Sequence, residues 1–391
     1  MFGSMTKKST PVDFPVFSLA FADDDSTTRC KLYVGGGGGP NKSGVKNAVV
    51  VYDVDPSELE LRQAGDIQFS KQDDACMSLD VVRQEDKTFV VAGVNASQEL
   101  IQAGDNKNFR LYTRTATDPD KTITQDTKTA VFELVNSVQT VTGKKAEHYQ
   151  RVARSSSDGS MLVTGTTDGK LHLWKFPSLT EHRPSMTINE EIFDADFDSK
   201  SKWLVFVTPK QCQVISIEDG KVAFQISNPA TSSGSPCEFR GCRFGRQDTA
   251  KYLYLIINEK SRKKSFVGQW RTDTWEMVRK RQIGKKPVTA FTMSPDGEKM
   301  AVGISDLSVV VLSANSLNVQ CRVLNAHSFP VTSVAFSPDG GVLASGSADS
   351  SVHLVLLPKR SSLPSAPTMA LMVILLLILF VLLYIREAQE L

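Results

Sequence analysis

The sequence lacks several features that would place it in a common class of protein. Its 391 residues include only six cysteines, which form no Cys-x-x-Cys pair and share no metal-ligand spacing with the five histidines. The 45 basic and 43 acidic residues nearly balance, at a formal charge of +2. These absences exclude a disulfide-stapled scaffold and give no overall electrostatic basis for nucleic-acid binding.

The N-terminus also lacks an export signal. Residues 1–16 contain basic side chains but no following apolar run of about 7 to 15 residues, as a secretory signal requires. We therefore expect the long N-terminal part of the chain to remain in the cytosol.

One long apolar run does occur, at the C-terminus. Residues 369–385 read MALMVILLLILFVLLYI, with Arg386 directly after them. As a helix rising about 1.5 Å per residue they span about 25 Å, which suits the thin bilayer of the endoplasmic reticulum better than a plasma membrane. The sequence predicts a linker at 359–368, a transmembrane helix at 369–385 and a short lumenal tail at 386–391. Lys359 and Arg360 favour a cytosolic N-terminal side.

A repeat organises the rest of the chain. FTMSPDGEKMAVGISDLSVVVL at 291–312 and VAFSPDGGVLASGSADSSVHLV at 334–355 share Ser-Pro-Asp-Gly, an apolar strand ending in glycine, an aspartate and a further strand. A third copy, SSSDGSMLVTGTTDGKLHLWKF, begins at Ser155. The first two copies are about 43 residues apart, which is the spacing of a four-stranded propeller blade.

Weaker copies complete a ring of seven blades. They lie at 16–54, 73–114, 188–226 and 237–284. No Trp-Asp dipeptide is present, and Leu173-Trp174-Lys175 is the nearest match to it. The last blade shows only three strands, so we expect a strand near 12–20 to close the ring. The predicted fold is all-β: a seven-bladed WD-repeat β-propeller over 1–358, followed by the transmembrane helix.

A glycine-rich segment, VGGGGGPNKSG at 34–44, raises the question of nucleotide binding. A phosphate-binding loop has glycine before its Lys-Ser pair and opens a helix. Here Asn41 precedes Lys42, and the β-branched residues after Gly44 predict a strand. We therefore expect this chain to bind no nucleotide. Two alternatives stay open from the residues alone: a flexible hairpin, or a shaped loop whose backbone oxygens bind an ion.

Other charged residues indicate no covalent catalysis. The acidic residues 73, 74 and 80 have no histidine beside them to suggest acid–base catalysis, and they suit a solvated turn and strand end better than a partner contact. His327 precedes an innermost strand and serves either the blade structure or a partner contact. The basic runs at 259–265 and 279–286 lack interleaved aromatics, so they suit a solvated hairpin or anionic lipid headgroups better than nucleic acid.

Four segments together resemble one known family. They are VGGGGGPNKSGVKNAVVVYDVDP in the first blade, NKNFRLY at 106–112, AHSFPVTSVAFSPDG at 326–340 and the C-terminal apolar run. The family comprises the endoplasmic-reticulum exchange factors that activate the small secretion-associated Ras-related GTPase of the COPII coat. Its animal members are called prolactin regulatory element-binding proteins.

The resemblance implies guanine-nucleotide exchange at the endoplasmic-reticulum membrane, which starts COPII coat assembly and export to the Golgi. It implies a first-blade loop that contacts the GTPase, which here comprises Gly35, Gly36, Gly37, Gly38, Gly39, Asn41, Gly44, Val45 and Asn47. It also implies a bound potassium ion, for which the candidate ligands are Gly38, Asn41, Ser43 and Gly44. The alternative is a membrane-anchored scaffold or cargo-export facilitator without exchange activity.

Overall fold

The computed structural model describes residues 6–23, 30–40, 44–85, 87–115, 131–227 and 234–358. The predicted linker, transmembrane helix and tail lie outside these residues, as do Asn41 and Ser43. Within the described ranges, no helix has the length and apolar character needed to cross a membrane.

The described residues form seven antiparallel sheets of four strands each. The first strand of the chain, β1 (Lys7–Pro11), belongs to the last blade. From the centre outward, the first three blades are β2 (Val16–Asp23), β3 (Cys30–Gly36), β4 (Ala48–Asp55), β5 (Glu60–Gln68); β6 (Ser78–Gln84), β7 (Lys87–Gly93), β8 (Phe109–Thr115), β9 (Val131–Val138); and β10 (Gln150–Ser155), β11 (Met161–Thr166), β12 (Lys170–Lys175), β13 (Thr180–Thr187).

The remaining four blades follow the same order. They are β14 (Asp194–Phe197), β15 (Trp203–Val207), β16 (Gln211–Ser216), β17 (Val222–Ser227); β18 (Cys237–Phe244), β19 (Tyr252–Glu259), β20 (Ser265–Arg271), β21 (Met277–Gly284); β22 (Val288–Met293), β23 (Lys299–Ile304), β24 (Val309–Ser313), β25 (Val319–Val323); and β26 (Val331–Phe336), β27 (Val342–Ser347), β28 (Ser351–Leu356) with β1. A short helix, α1 (Gln98–Ala103), and a 3₁₀ turn (Gln247–Thr249) lie in connections.

The seven sheets close into a ring. The innermost strands β2, β6, β10, β14, β18, β22 and β26 contact one another in that order, and β26 returns to β2. Both faces of each sheet therefore pack against neighbouring sheets, which explains the nearly continuous apolar strands. The predicted seven-bladed propeller with WD-type repeats is confirmed for this part of the chain.

The residues that recur in each repeat have two structural roles, one in a turn and one in packing between blades. In Ser-Pro-Asp-Gly the serine hydroxyl donates to the aspartate, as between Ser337 Oγ and Asp339 Oδ1 at 2.7 Å, and Gly340 adopts φ +65°. The glycine that ends the next strand permits close packing, because a Cβ on Gly303 would lie 2.6 Å from Val331 Cβ in the following blade. The spacing between Ser-Pro-Asp-Gly and the following glycine thus reflects one turn within a blade and one close contact with the next blade.

The strand that closes the ring differs from the prediction. We expected it near 12–20, but β1 (Lys7–Pro11) pairs with β28, while Val16–Asp23 is the innermost strand of the first blade. A bend at Asp13 and Phe14, directly before Pro15, separates the two strands. Phe14 is buried there in the core between the first and last blades.

Removal of β1 tests this closure. Deleting residues 2–11 leaves the edge of β28 without its paired strand, including the hydrogen bond from Leu356 N to Thr6 O. We expect the free energy of unfolding to fall by about 2 to 4 kcal/mol in urea titrations, because several backbone hydrogen bonds are lost. As a control, Lys7→Ala with Ser9→Ala keeps the backbone pairing and changes only exposed side chains. Equal unfolding midpoints for the deletion and the control would contradict closure by β1.

Candidate functional site: the glycine-rich hairpin

The glycine-rich segment forms the connection between β3 and β4 in the first blade. Gly36 at the end of β3 pairs both with Val16 at the start of β2 and with Ala48 at the start of β4. The connection therefore projects from the face of the ring at which the innermost strands begin, which we call the hairpin face. Residues 41–43 at its tip lie outside the described residues.

Three of the five glycines are buried at the base of this hairpin. A Cβ would lie 2.4 Å from Ser18 Oγ if built on Gly35, and 2.0 Å from the Pro15 carbonyl oxygen if built on Gly36. Gly37 has φ +149°, and its Cβ would lie 2.0 Å from Asn47 Oδ1. These glycines permit close approach of neighbouring groups. They are buried, so the GTPase contact that the resemblance implies for them stays a prediction.

Asn47 anchors the base of the hairpin. Its Oδ1 accepts a hydrogen bond from Gly39 N at 3.0 Å, and its Nδ2 donates to Gly39 O at 3.1 Å and to Asp73 O at 2.7 Å. The side chain needs both a donor and an acceptor for these bonds, so Asp or Leu does not replace it. Asn47 is only 5% exposed, so the structure gives it an internal anchoring role, and the partner contact predicted for it stays a prediction.

Asp73 connects this anchor to the second blade. Its carboxylate accepts two hydrogen bonds from Arg110, at 2.8 and 2.9 Å, and a third from Ser70 N at 3.0 Å. Burial lowers the pKa of Arg110, but the hydrogen bonds and charge of Asp73 outweigh this and leave that pKa raised. The interpretation of Asp73 as a solvated turn residue is therefore wrong, because only 8% of the residue is exposed. A bidentate pair with so little solvent fixes the geometry strongly.

Arg110 belongs to the segment NKNFRLY that contributed to the family resemblance. In the same segment, Asn108 is fully buried and donates to Thr140 Oγ1 at 2.7 Å. Asn106 accepts from Ala96 N at 2.9 Å. Sequence reasoning used this segment only as a family marker, yet it supports the hairpin from the neighbouring blade.

The exposed part of the hairpin is small. Gly38 and Gly39 are half-buried, whereas Pro40 and Gly44 are exposed, and Val45 is 37% exposed. Gly44 has φ +78°, a conformation that favours glycine. Of the residues predicted to contact a GTPase, the described ones with surface are therefore Gly38, Gly39, Gly44 and Val45.

The surroundings of the hairpin suit a cation. A Cβ built on Gly39 would lie 3.3 Å from Asp74 Oδ1, so a carboxylate stands beside the loop backbone. Burial raises the pKa of Asp74, which shows that its charge lacks full solvation. Of the four predicted potassium ligands, Gly38 and Gly44 are described and Asn41 and Ser43 are not, so the ligand set stays a prediction.

His327 lies inside the last blade. Its side chain has no exposed surface, and its Nδ1 lies 2.9 Å from Ser351 Oγ and 3.3 Å from both Asp349 oxygens. Its Nε2 lies 2.9 Å from Ser345 Oγ. Of the two roles considered for His327, these contacts favour the structural one.

Comparison with known proteins agrees with this architecture. A sequence model of the WD domain, G-beta repeat, matches residues 136–175 and 318–355. The guanine nucleotide-exchange factor SEC12 of Rattus norvegicus is 26% identical over 342 residues, which are 80% of this chain and 79% of that protein. SEC12 of Mus musculus is 26% identical over 343 residues, with the same shares.

The chain is a homologue of the SEC12 exchange factors. The family resemblance stated from the sequence is confirmed at this level. SEC12-like protein 1 of Arabidopsis thaliana is also similar, at 25% identity over 197 residues, which are 48% of each protein. The similarity to the rodent SEC12 proteins extends over most of both chains, so it is not limited to the repeats that match the WD domain.

The variant Asn47→Ala tests the anchoring role. It removes three hydrogen bonds and leaves Gly39 N and Asp73 O without their partner, so we expect a loss of about 1 to 3 kcal/mol of unfolding free energy. Amide hydrogen exchange at Gly39 should accelerate more than exchange in the sheets. The control is Lys46→Ala, an exposed position beside it. Unchanged protection of Gly39 in Asn47→Ala would show that the side chain does not fix the loop.

The histidines of the last blade predict a dependence of stability on pH. Burial lowers the pKa of His327, and burial with the nearby His327 lowers that of His353 to about 4, although Asp349 opposes both shifts. The unfolded chain takes up protons near pH 6.5 and the folded chain does not, so the free energy of unfolding should fall as the pH drops from about 6.5 towards 4.

Urea titrations at pH 7, 6 and 5 measure this effect. The variant His353→Phe keeps a ring beside His327, whose ring centroid is 4.4 Å away, but removes one titrating group. We expect a shallower loss of stability in this variant. The same pH slope in the two proteins would exclude His353 as a source of the effect.

Proposed function

We propose that this protein is a guanine-nucleotide exchange factor for a small GTPase, and that the exposed part of the glycine-rich hairpin engages the GTPase. The observation that supports this most is the anchored hairpin itself: a surface loop whose base is held by Asn47 and by the Asp73–Arg110 pair. The homology to SEC12 exchange factors over 80% of the chain supports the same activity.

Exchange of this kind needs no covalent step. A protein that binds the nucleotide-free GTPase more tightly than the nucleotide-bound form weakens nucleotide affinity by the same factor, because the two equilibria are linked. Inserting a shaped loop against the segments that hold the Mg²⁺ ion and phosphates produces this difference. A loop that is already ordered loses little entropy on binding, so more of the contact energy opposes the nucleotide.

The partner that we infer is the small GTPase of the COPII coat, at the membrane of the endoplasmic reticulum. The apolar residues 369–385 would anchor the chain there, with the propeller in the cytosol, so that activated GTPase forms where the coat assembles. The support for this is the sequence of the C-terminus together with the family to which the homologues belong.

A potassium ion suits the same hairpin. Backbone carbonyls of Gly38 and Gly44, with oxygens of Asn41 and Ser43, would hold it, and the Asp74 carboxylate would add a favourable field. The ion would supply charge neutralisation among converging carbonyl groups. With the ion bound, the exposed residues Pro40 and Val45 would still face the partner.

The variant Val45→Asp tests the surface that we assign to the GTPase. It places a charge on an exposed apolar side chain of the hairpin, so we expect the acceleration of GDP release to fall by at least about tenfold. The measurement is release of labelled GDP from the purified COPII GTPase in the presence of the full chain in detergent. Exchange in potassium chloride and in sodium chloride is compared in the same assay, and we expect faster release in potassium.

The matched control is Gln63→Asp, which introduces the same charge on an exposed position of β5 in the same blade. It should accelerate GDP release as the unmodified chain does. If the unmodified chain gives no acceleration in either salt, the protein is the anchored scaffold without exchange activity, and the proposal fails.

A further inference from the structure

A cavity lies at the centre of the ring, near the hairpin face. Its volume is about 340 Å³, and all seven innermost strands contribute to its wall. Ser18, at the base of the glycine-rich hairpin, is one of the lining residues. Because the cavity lies among the innermost strands, it is separate from the exposed surface of the hairpin, although both lie at the same end of the propeller.

The inner strands present selected residues to this cavity through irregular pairing. Five of these strands contain one extra residue relative to the neighbouring strand, and such a bulge redirects a side chain. All five extra residues line the cavity: Phe17, Arg151, Arg240, Thr289 and Thr332. A bulge in the innermost strand of five blades thus places one residue of each of these blades on the cavity wall.

The lining carries an excess of positive charge. Four arginines contribute to it, Arg151 and Arg154 from β10 and Arg240 and Arg243 from β18, whereas Asp194 is the single acidic residue among the lining residues. Acidic groups do lie near, since Glu191 forms an ion pair with Arg151 and the charges of Asp80 and Asp196 act on Arg154.

Two of the arginines are fully engaged in the protein. Arg243 is 4% exposed at its side chain and donates to Asp194 at 2.6 Å and to the Phe291 carbonyl oxygen at 3.1 Å. Arg151 pairs with Glu191, and its guanidinium lies 4.7 Å from the centre of the Phe193 ring. These contacts give both residues a structural role in the wall of the cavity.

The other two arginines have donors to spare. Arg240 makes one hydrogen bond, to Thr289 O at 2.6 Å, and its guanidinium lies 5.2 Å from the centre of the Phe193 ring. Unlike Arg151, it has no carboxylate paired with it among the described residues. Arg154 Nε is buried without a hydrogen-bond partner, and its Nη2 lies 4.0 Å from Asp194 Oδ1. A guanidinium presents five N–H groups, and both side chains are only half-buried, so several of these donors are open to a ligand in the cavity.

The electrostatics agree with the geometry. Burial, with the nearby Arg151 charge, lowers the pKa of Arg240 to about 10. Burial and the nearby Arg243 charge likewise lower the pKa of Arg154. Nearby carboxylates oppose both shifts, but burial is the larger cause in each case. An anion in the cavity would add to the groups that favour the charged arginines.

We propose that the central cavity binds a small anion that carries two or more phosphate groups, with Arg154 and Arg240 as its main ligands. A phosphate offers several acceptor oxygens to a guanidinium group, so a ligand with two phosphates has acceptors for both arginines. The cavity is in the usual size range of small-molecule sites, from about 300 to 1,000 Å³. It is too small for a folded domain, so the ligand is a metabolite-sized molecule. The proposal is independent of the exchange activity.

Calorimetric titration of the full chain in detergent tests the proposal, with sodium pyrophosphate and sodium tripolyphosphate as probes. We expect one site per chain and a dissociation constant that rises at least about tenfold in Arg240→Gln, because a charge-assisted ligand is lost. Arg240→Gln leaves no carboxylate unpaired, so we expect the variant to fold. Arg154→Gln should weaken binding to a similar degree, which gives a second and independent reading.

The matched control is Arg279→Gln. Arg279 is exposed on β21 and, like Arg240, donates to one backbone carbonyl, that of Asn315. Its loss should leave the dissociation constant unchanged. Absence of binding by the unmodified chain, or an equal effect of Arg279→Gln and Arg240→Gln, would overturn the proposal. Binding of citrate as tightly as tripolyphosphate would contradict the assignment to phosphate.

Discussion

The side-chain amide of Asn47 is the interaction on which the candidate site depends. One amide group joins both backbone groups of Gly39 to the carbonyl of Asp73, so it links the glycine-rich hairpin of the first blade to the start of the second. The pair between Asp73 and Arg110 then fixes that second point. A surface loop of this length would otherwise sample many conformations, and this chain of contacts restricts it near its base.

The ring supports the base of the hairpin. Each innermost strand packs against two neighbours, and β1 pairs with β28 to complete the last blade. The hairpin base thereby rests on Pro15 just before β2, on Ser18 within β2, and on Cys76 in the connection that leads to β6. The same arrangement of inner strands places arginines on the wall of the central cavity, so one architecture supplies both an exposed hairpin and an arginine-lined cavity.

The fold was predictable from the sequence because its signals are local. Ser-Pro-Asp-Gly encodes a turn with a fixed side-chain hydrogen bond, and its spacing of about 43 residues counts the blades. The closing strand was misplaced because Lys7–Pro11 is an exposed edge strand with no apolar pattern, whereas the residues after Pro15 carry a clear one. Pairing across the two ends of a chain leaves no local trace in the sequence.

The site was predictable only in outline. The run of glycines marked the hairpin, but composition does not distinguish a glycine needed for close packing, such as Gly36, from one that is exposed, such as Gly44. The role of Asp73 was missed because its partner Arg110 is 37 residues away in the sequence. The bulges that direct Arg151 and Arg240 into the cavity were also not predictable, because they depend on strand register, which is set by the whole sheet.

The central claim is that a pre-ordered hairpin favours the nucleotide-free state of its GTPase. The most direct measurement compares the affinity of the full chain for the nucleotide-free and the GDP-bound COPII GTPase, before and after Asn47 is replaced by alanine. We predict that the unmodified chain binds the nucleotide-free form far more tightly and that the replacement removes most of this preference while the propeller stays folded. An equal preference in both proteins, or none in the unmodified chain, would contradict the claim.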